Sequence, residues 1–189
     1  MSRRRTIIAA ALAAVIVQAA AFGVYKIVEG HRSAATGERF PVEVLPGDRA
    51  APDLVVERPD GTRATLSDQR GRPVLVHFWA TWCPPCIEEL PGLIEAGRRL
   101  EGQGLVVLAV SMDDSWPSVR AFFHGQVPRE VVRALDPEAS HRYDVSALPD
   151  TYLVSASGRL LTRYGGARPW RSRAAITHLE KTLSGAAAR

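Results

Sequence analysis

The chain has 189 residues, 46% hydrophobic and 23% charged, which excludes a disordered chain and leaves room for one ordinary domain plus extra segments. Its formal net charge of +4 is concentrated at one end: Arg3, Arg4, Arg5 and Lys26 flank the first apolar stretch. From His31 onward 20 Lys and Arg face 19 Asp and Glu, so the body carries no basic stripe for a phosphate backbone and a nucleic-acid binder is not expected.

Ile7 to Tyr25 is an apolar run interrupted only by Gln18. A helix of that length covers roughly 28 Å, close to the ~30 Å hydrocarbon core of a bilayer. With the arginine cluster before it, residues 1–28 are predicted to be a basic tip and an uncleaved signal anchor, N-terminus in the cytoplasm. A cleaved signal peptide is the alternative, because Gln18-Ala19-Ala20-Ala21 offers small residues; the run nevertheless continues through Phe22 to Tyr25 without a polar break. Both readings export the remainder to an oxidising space such as a periplasm, on the membrane or soluble in that space.

Residues 29–43 form a polar linker and residues 44–185 the folded domain. Leu54-Val55-Val56 is a strand candidate, and Asp60-Gly61 marks a hairpin turn. Val74 to Trp79, apolar apart from His77, predicts a buried strand that turns through Ala80-Thr81-Trp82 into a helix carrying Ile87, Leu90, Leu93, Ile94 and Leu100 on its core face. Pro91 inside this pattern predicts a kink. Leu105 to Val110 is a second buried strand. Asp113-Asp114 lacks a third ligand at usable spacing and is assigned to helix capping or a solvated loop, not to a metal. Helical spacing returns at Val119, Phe122 and Phe123, a strand at Val131 to Leu135, and a short helix at Pro137 to Tyr143 with His141 facing solvent. Pro149 directly precedes a strand, Ala156-Ser157-Gly158-Arg159 turns a hairpin, and Ala175, Ile176, Leu179 and Leu183 mark a closing helix. This alternation predicts an α/β fold with a mixed central sheet flanked by helices.

The chemistry lies in P-V-L-V-H-F-W-A-T-W-C-P-P-C-I-E-E-L-P, residues 73–91, which holds both cysteines of the chain. A strand leading into a helix with C-x-x-C at the junction is a thiol–disulfide redox motif. Disulfide exchange needs an exposed thiolate to attack and a second thiol to resolve the mixed disulfide. The unpaired N–H groups and positive dipole end of the helix stabilise a thiolate on the first cysteine, so Cys83 is the expected nucleophile and Cys86 the resolving thiol. Pro84 and Pro85 remove two of the amide donors that face the Cys83 sulfur. The thiolate is then less stabilised than in a strong oxidant, which favours a reductase. Trp82 is either an apolar platform for the partner or a half-buried aromatic at a strand end. His77 is assigned to a satisfied core position, Glu89 to the helix surface and Glu88 to solvent.

The stretch F-W-A-T-W-C-P-P-C-I-E-E-L-P resembles the active-site segment of the thioredoxin superfamily, and more narrowly that of the TlpA/ResA-type membrane-anchored thiol-disulfide oxidoreductases; the resemblance covers roughly residues 44 to 183. It implies a thioredoxin-like fold, a redox-active Cys83–Cys86 disulfide, a cis peptide bond before Pro149 and a Leu148 backbone that pairs with an incoming chain as an added strand. It also implies that Glu89 modulates proton transfer at the thiols. The chain departs from the thioredoxin pattern six residues before the first cysteine, where His77 replaces the buried aspartate of the usual proton relay. The resemblance implies a reductant whose clients are cysteines of apocytochrome c or of copper-site assembly factors in respiratory oxidase biogenesis. Its electrons would come from a DsbD/CcdA-type membrane donor, with no cofactor beyond the cysteine pair. A disulfide-donating oxidant is the alternative with the same chemistry. A copper-binding chaperone is the alternative of another class, though such proteins use a wider C-x-x-x-C with a downstream histidine.

Overall fold

The computed structural model describes residues 40–186. The anchor expected at residues 1–28 lies outside the described residues, and among the described residues no helix is long and apolar enough to cross a membrane. The elements are β1 (Glu43–Val44), β2 (Val55–Glu57), β3 (Arg63–Thr65), β4 (Val74–Trp79), α1 (Pro84–Leu100), β5 (Val106–Ser111), α2 (Trp116–Phe122), β6 (Val131–Ala134), α3 (Ala139–Arg142), β7 (Asp150–Val154), β8 (Leu160–Gly165) and α4 (Arg173–Ala186). One eight-stranded sheet runs in the order β1-β8-β7-β4-β5-β6-β2-β3. Its centre, β4-β5-β6, is parallel, and every other pairing is antiparallel.

Alternation along β4 decides what packs where. Val74, Val76 and Phe78 point to one face, into a cluster with Leu54, Val56, Tyr143 and Tyr152. Leu75 and Trp79 point to the other, against residues of α1. Leu75 shares its cluster with Leu93, Leu100, Leu179 and Leu183, which draws α4 onto the same face. Burial on both sides is why β4 reads as an almost unbroken apolar run. His77 is the exception, and it lies on the α1 face.

Helix α1 begins with Cys83 as its N-cap and prolines at its first two positions, where the missing N–H groups have no helical partner to lose. Pro91 lies inside it and the helix continues past it. A 3-10 turn over Glu101–Gln103 and the left-handed Gly104, at φ 87°, end the segment and feed the chain into β5. Gly97 is needed at the helix–sheet contact: a Cβ there would sit 2.3 Å from Val107 Cγ2.

Two expectations are corrected. The predicted linker of residues 29–43 runs too far, because Phe40 is buried with ring centroids 5.7 Å from Tyr164 and 5.3 Å from Trp170. Residues Glu43 and Val44 pair with Arg163 and Thr162 of β8. A single aromatic and a two-residue edge strand carry no periodic signal, yet burying one phenylalanine contributes about 1.5–3 kcal/mol. Asp113, expected to cap a helix or lie in solvent, is buried and bonded to the turn before the cysteines.

Candidate active site

Three segments converge at the C-terminal end of β4. The first is the turn out of that strand. Thr81 donates to Asp113 from its backbone N–H (3.0 Å) and from its hydroxyl (2.5 Å), and Ser111 donates a further bond to Asp113 (2.7 Å). The end of β5 thus clamps the loop that delivers Trp82 and Cys83. Trp82 is 67% exposed, unusual for a tryptophan in this apolar setting, and stands directly before Cys83.

The second segment is the start of α1. Cys83 and Cys86 form a disulfide with Cα atoms 5.3 Å apart. Cys83 keeps 6% of its surface, whereas Cys86, one turn into the helix, keeps none. Only the first sulfur is placed for attack by or on a partner. Beside the pair, Ile87, Leu90, Pro91, Ile94, Phe122 and Phe123 border an apolar groove of about 260 Å³.

The third segment is the loop before β7. The Leu148–Pro149 peptide bond is cis, and Leu148 packs against the cluster that contains Trp79, Ala80, Cys83 and Cys86. The Pro149 carbonyl accepts from Gly166 N–H (2.9 Å). Asp150 follows it, buried, and takes bonds from Arg163 Nη2 (2.8 Å) and Nε (3.0 Å) and from the Tyr152 hydroxyl (3.2 Å). The bond to Asp150 is the largest influence on Arg163, raising its already high pKa. This ion pair fixes the strand start that carries the cis-proline loop.

Behind the disulfide lies a buried polar pair. Glu89, assigned from sequence to the helix surface, is only 7% exposed. Its Oε2 accepts from Trp170 Nε1 (3.1 Å) and from the backbone N–H of Arg168. Burial raises its carboxyl to about 7, and those two hydrogen bonds and the Arg168 charge oppose the rise. His77 is fully buried, with Nδ1 2.8 Å from the Thr151 hydroxyl, and burial pushes its imidazole down to about 3. Its Nε2 and Glu89 Oε1 face each other at 3.8 Å, and among the described residues neither has a hydrogen-bond partner. The core assignment for His77 therefore needs correction on one point: only half of the ring is satisfied. Glu88, by contrast, is exposed.

Thr151, Arg168 and Trp170 escaped the sequence reading as site residues, and the bond between Thr81 and Asp113 was not expected. Thr151 had a weak signal, two residues after the singled-out proline. Trp170 and Arg168 reach Glu89 from about 80 residues away with no local pattern to announce them. Among the described residues no group of three or more His, Cys, Asp or Glu side chains is placed to hold a metal ion.

A solvent-reachable cysteine of a C-x-x-C pair, set at a helix N-terminus over a mixed sheet and faced by a cis-proline loop, defines a thioredoxin-like thiol-disulfide oxidoreductase. The chain belongs to the AhpC/TSA family, whose pattern it matches over residues 47–163. It is 31% identical over 161 residues to the thiol-disulfide oxidoreductase ResA of Bacillus subtilis (strain 168), covering 84% of each chain. The ResA of Geobacillus thermodenitrificans (strain NG80-2) is 33% identical over 113 residues, 58% of this chain and 64% of that one. Among solved structures, a thiol:disulfide interchange protein DsbE from Chlorobium tepidum superposes with a TM-score of 0.62 at 31% identity, covering 77% of this chain and 99% of its own. A thiol:disulfide interchange protein from Bacteroides sp. gives a TM-score of 0.63 over 75% of this chain and 93% of its own; at 23% identity it shows the fold alone.

Proposed function

We propose that this oxidoreductase works as a reductant of client-protein disulfides on the far side of a membrane, held there by residues 7–25. The observation that carries the direction is the start of α1. Pro84 and Pro85 occupy its first two positions, so the Cys83 sulfur faces a helix end stripped of two amide donors. A thiolate with fewer donors is less stable, and a dithiol whose reduced form is less stabilised gives up its electrons more readily. The likeness to the ResA and DsbE proteins described above supports thiol–disulfide exchange as the chemistry.

In the cycle, Cys83 thiolate attacks a client disulfide and forms a mixed disulfide; Cys86 then attacks Cys83 and releases the reduced client. Trp82 and the groove along α1 give the client an apolar seat. Among the described residues the Leu148 backbone makes no hydrogen bond, which leaves its N–H and C=O open to an extended client segment. Residues Cys83 and Cys86 are the catalytic pair; Trp82, Pro84, Pro85, Glu89, Leu148 and Pro149 support them. Cysteines of apocytochrome c or of copper-site assembly factors are the client class, and a DsbD/CcdA-type membrane protein is the electron donor.

The reduction potential of the purified protein, equilibrated against dithiothreitol and glutathione buffers, tests the direction. A value near about −270 mV agrees with a reductant that needs an electron feed. A value near about −120 mV overturns it and makes the protein a disulfide donor. Protease protection of right-side-out vesicles tests the location: a catalytic domain that stays protected contradicts the exported topology.

A further inference from the structure

Two buried polar atoms that find no partner among the described residues, His77 Nε2 on β4 and Glu89 Oε1 on α1, point at one another across 3.8 Å. That gap is too long for a hydrogen bond and leaves two dissatisfied groups at the base of the active-site helix. A relative shift of about 0.6 Å would bring the two atoms within the ~3.2 Å limit of a hydrogen bond. Each orphaned buried polar group carries a desolvation penalty, so a pair that costs stability in this way calls for a role.

The partners of each side chain define that role. Glu89 Oε2 already accepts two N–H bonds, from Trp170 and Arg168, so the proton of the neutral acid belongs on Oε1 and points at His77. When Glu89 is ionised, Oε1 instead needs a donor. His77 can meet either state because its other nitrogen rests on Thr151 Oγ, a hydroxyl that both donates and accepts. With Nδ1–H donating to Thr151, Nε2 is bare and receives the Glu89 acid. With Thr151 donating to Nδ1, Nε2 carries the proton and donates to the Glu89 carboxylate. The imidazole stays neutral throughout.

We propose that His77 is a positioning residue that switches tautomer with the protonation of Glu89, so that Glu89 can take up and return the proton of Cys86. The proposal rests on the dithiol–disulfide reading above. Cys86 and Glu89 are three residues apart on α1 and so share a helix face. Cys86 has no exposed surface through which bulk solvent could take its proton. In the resolving step the Cys86 thiol gives its proton to the Glu89 carboxylate. The Cys86 thiolate attacks Sγ of Cys83; the Cys83–Cys86 bond forms as the bond between Cys83 and the client sulfur breaks. The client sulfur leaves with the electron pair as a thiolate and is protonated by water. The client disulfide has gained two electrons and the cysteine pair has lost two.

Other charged groups near the pair leave this assignment intact. On the loop before α4, Arg168 lies close enough to favour the Glu89 anion. On β7, Asp150 is held by Arg163 and Tyr152 rather than His77. On β5, the residue opposite His77 is Ala109, which has nothing to titrate.

The test is imidazole 15N spectroscopy of the reduced wild-type protein between pH 5.5 and 8.5, which separates the two neutral tautomers from each other and from imidazolium. The expected result is a change of His77 from the Nδ1–H to the Nε2–H form with a midpoint near 7 and no imidazolium. One tautomer at every pH, or a charged ring, overturns the proposal. In parallel, the rate at which the Cys83 mixed disulfide with a synthetic peptide resolves is followed against pH. In His77→Leu the inflection moves up by about one pH unit, because the carboxylate loses its charge-assisted donor, and the neutral-pH rate falls about fivefold. His77→Gln, whose amide can donate or accept, restores part of the loss. An unmoved inflection in His77→Leu also overturns the proposal. If wild-type protein fails to reduce the peptide disulfide at any pH, the functional reading falls instead, and the spectroscopic result still judges the tautomer switch.

Discussion

Replacing His77 with leucine in a Glu89→Gln background isolates the cost of holding an imidazole uncharged in the core. The folded state keeps His77 neutral down to about 3, while an ordinary histidine, as in the unfolded chain, takes its proton near 6.5. Between those values the unfolded chain binds one proton more than the folded one, so stability rises with pH and is lost as pH falls. Over that window the loss is about 5 kcal/mol, from ~1.4 kcal/mol for each pH unit. Leucine removes this dependence and leaves the buried Thr151 hydroxyl without its partner, a roughly constant penalty of about 1–3 kcal/mol. The leucine variant therefore gains on its parent as the pH falls from 7 to 3.5, whatever the constant offset between them. The glutamine background is needed because Glu89 titrates in the same region with the opposite sign. Urea unfolding followed by tryptophan fluorescence at pH 3.5, 5 and 7 gives the free energies. Parallel profiles, with a difference independent of pH, would refute the reasoning, since they require an imidazole whose proton affinity is the same folded and unfolded.

Glu89→Gln in an otherwise wild-type chain shows that opposite sign. Its raised pKa means the folded state holds a proton the unfolded chain releases between about 4.5 and 7, so the wild type loses stability as pH rises through that range. The glutamine variant gains on it by up to about 3 kcal/mol between pH 4.5 and 8, measured by the same denaturation. Gly97→Ala drives a methyl to 2.3 Å from Val107 in the helix–sheet contact and costs about 1–3 kcal/mol, read as a lower urea midpoint. Asp150→Asn breaks the two-point bond to Arg163 under the cis-proline loop. With Arg163 partly exposed, about 2 kcal/mol is expected, together with slower peptide-disulfide reduction. Trp82→Ala, at an exposed site, leaves stability within about 0.5 kcal/mol but raises the KM for a protein client. A large stability loss would instead make Trp82 a structural residue.

What was legible in the sequence was what repeats or what is local. The apolar runs of β4 and β5, the 3.6-residue pattern of α1 and α4, the Asp60-Gly61 turn and the C-x-x-C junction each carry their signal within a few residues. Edges and distant partners do not. Phe40 joins the core through Tyr164 and Trp170, more than 120 residues away, and β1 is too short to alternate. Glu89 belongs by spacing to either a surface or a boundary position of α1, and only the loop before α4, closing over it with Trp170 and Arg168, decides that it is buried.

The placement of His77 follows from the same distinction. A polar residue in a strand buried on both faces is normally removed or fully paired, because an unmet nitrogen there costs more than a hydrophobic replacement. The register of β4 against β7 sets Thr151 opposite His77 and satisfies one nitrogen. The packing of α1 over β4 sets Glu89 before the other and leaves it unmet in the disulfide state. A pairing complete on one side and open on the other suits a group whose partner changes protonation, since a bond fixed to either form of Glu89 would resist the change. The polar break in the strand and the carboxyl displaced toward neutrality are thus two halves of one arrangement. It stands behind the one cysteine that water does not reach.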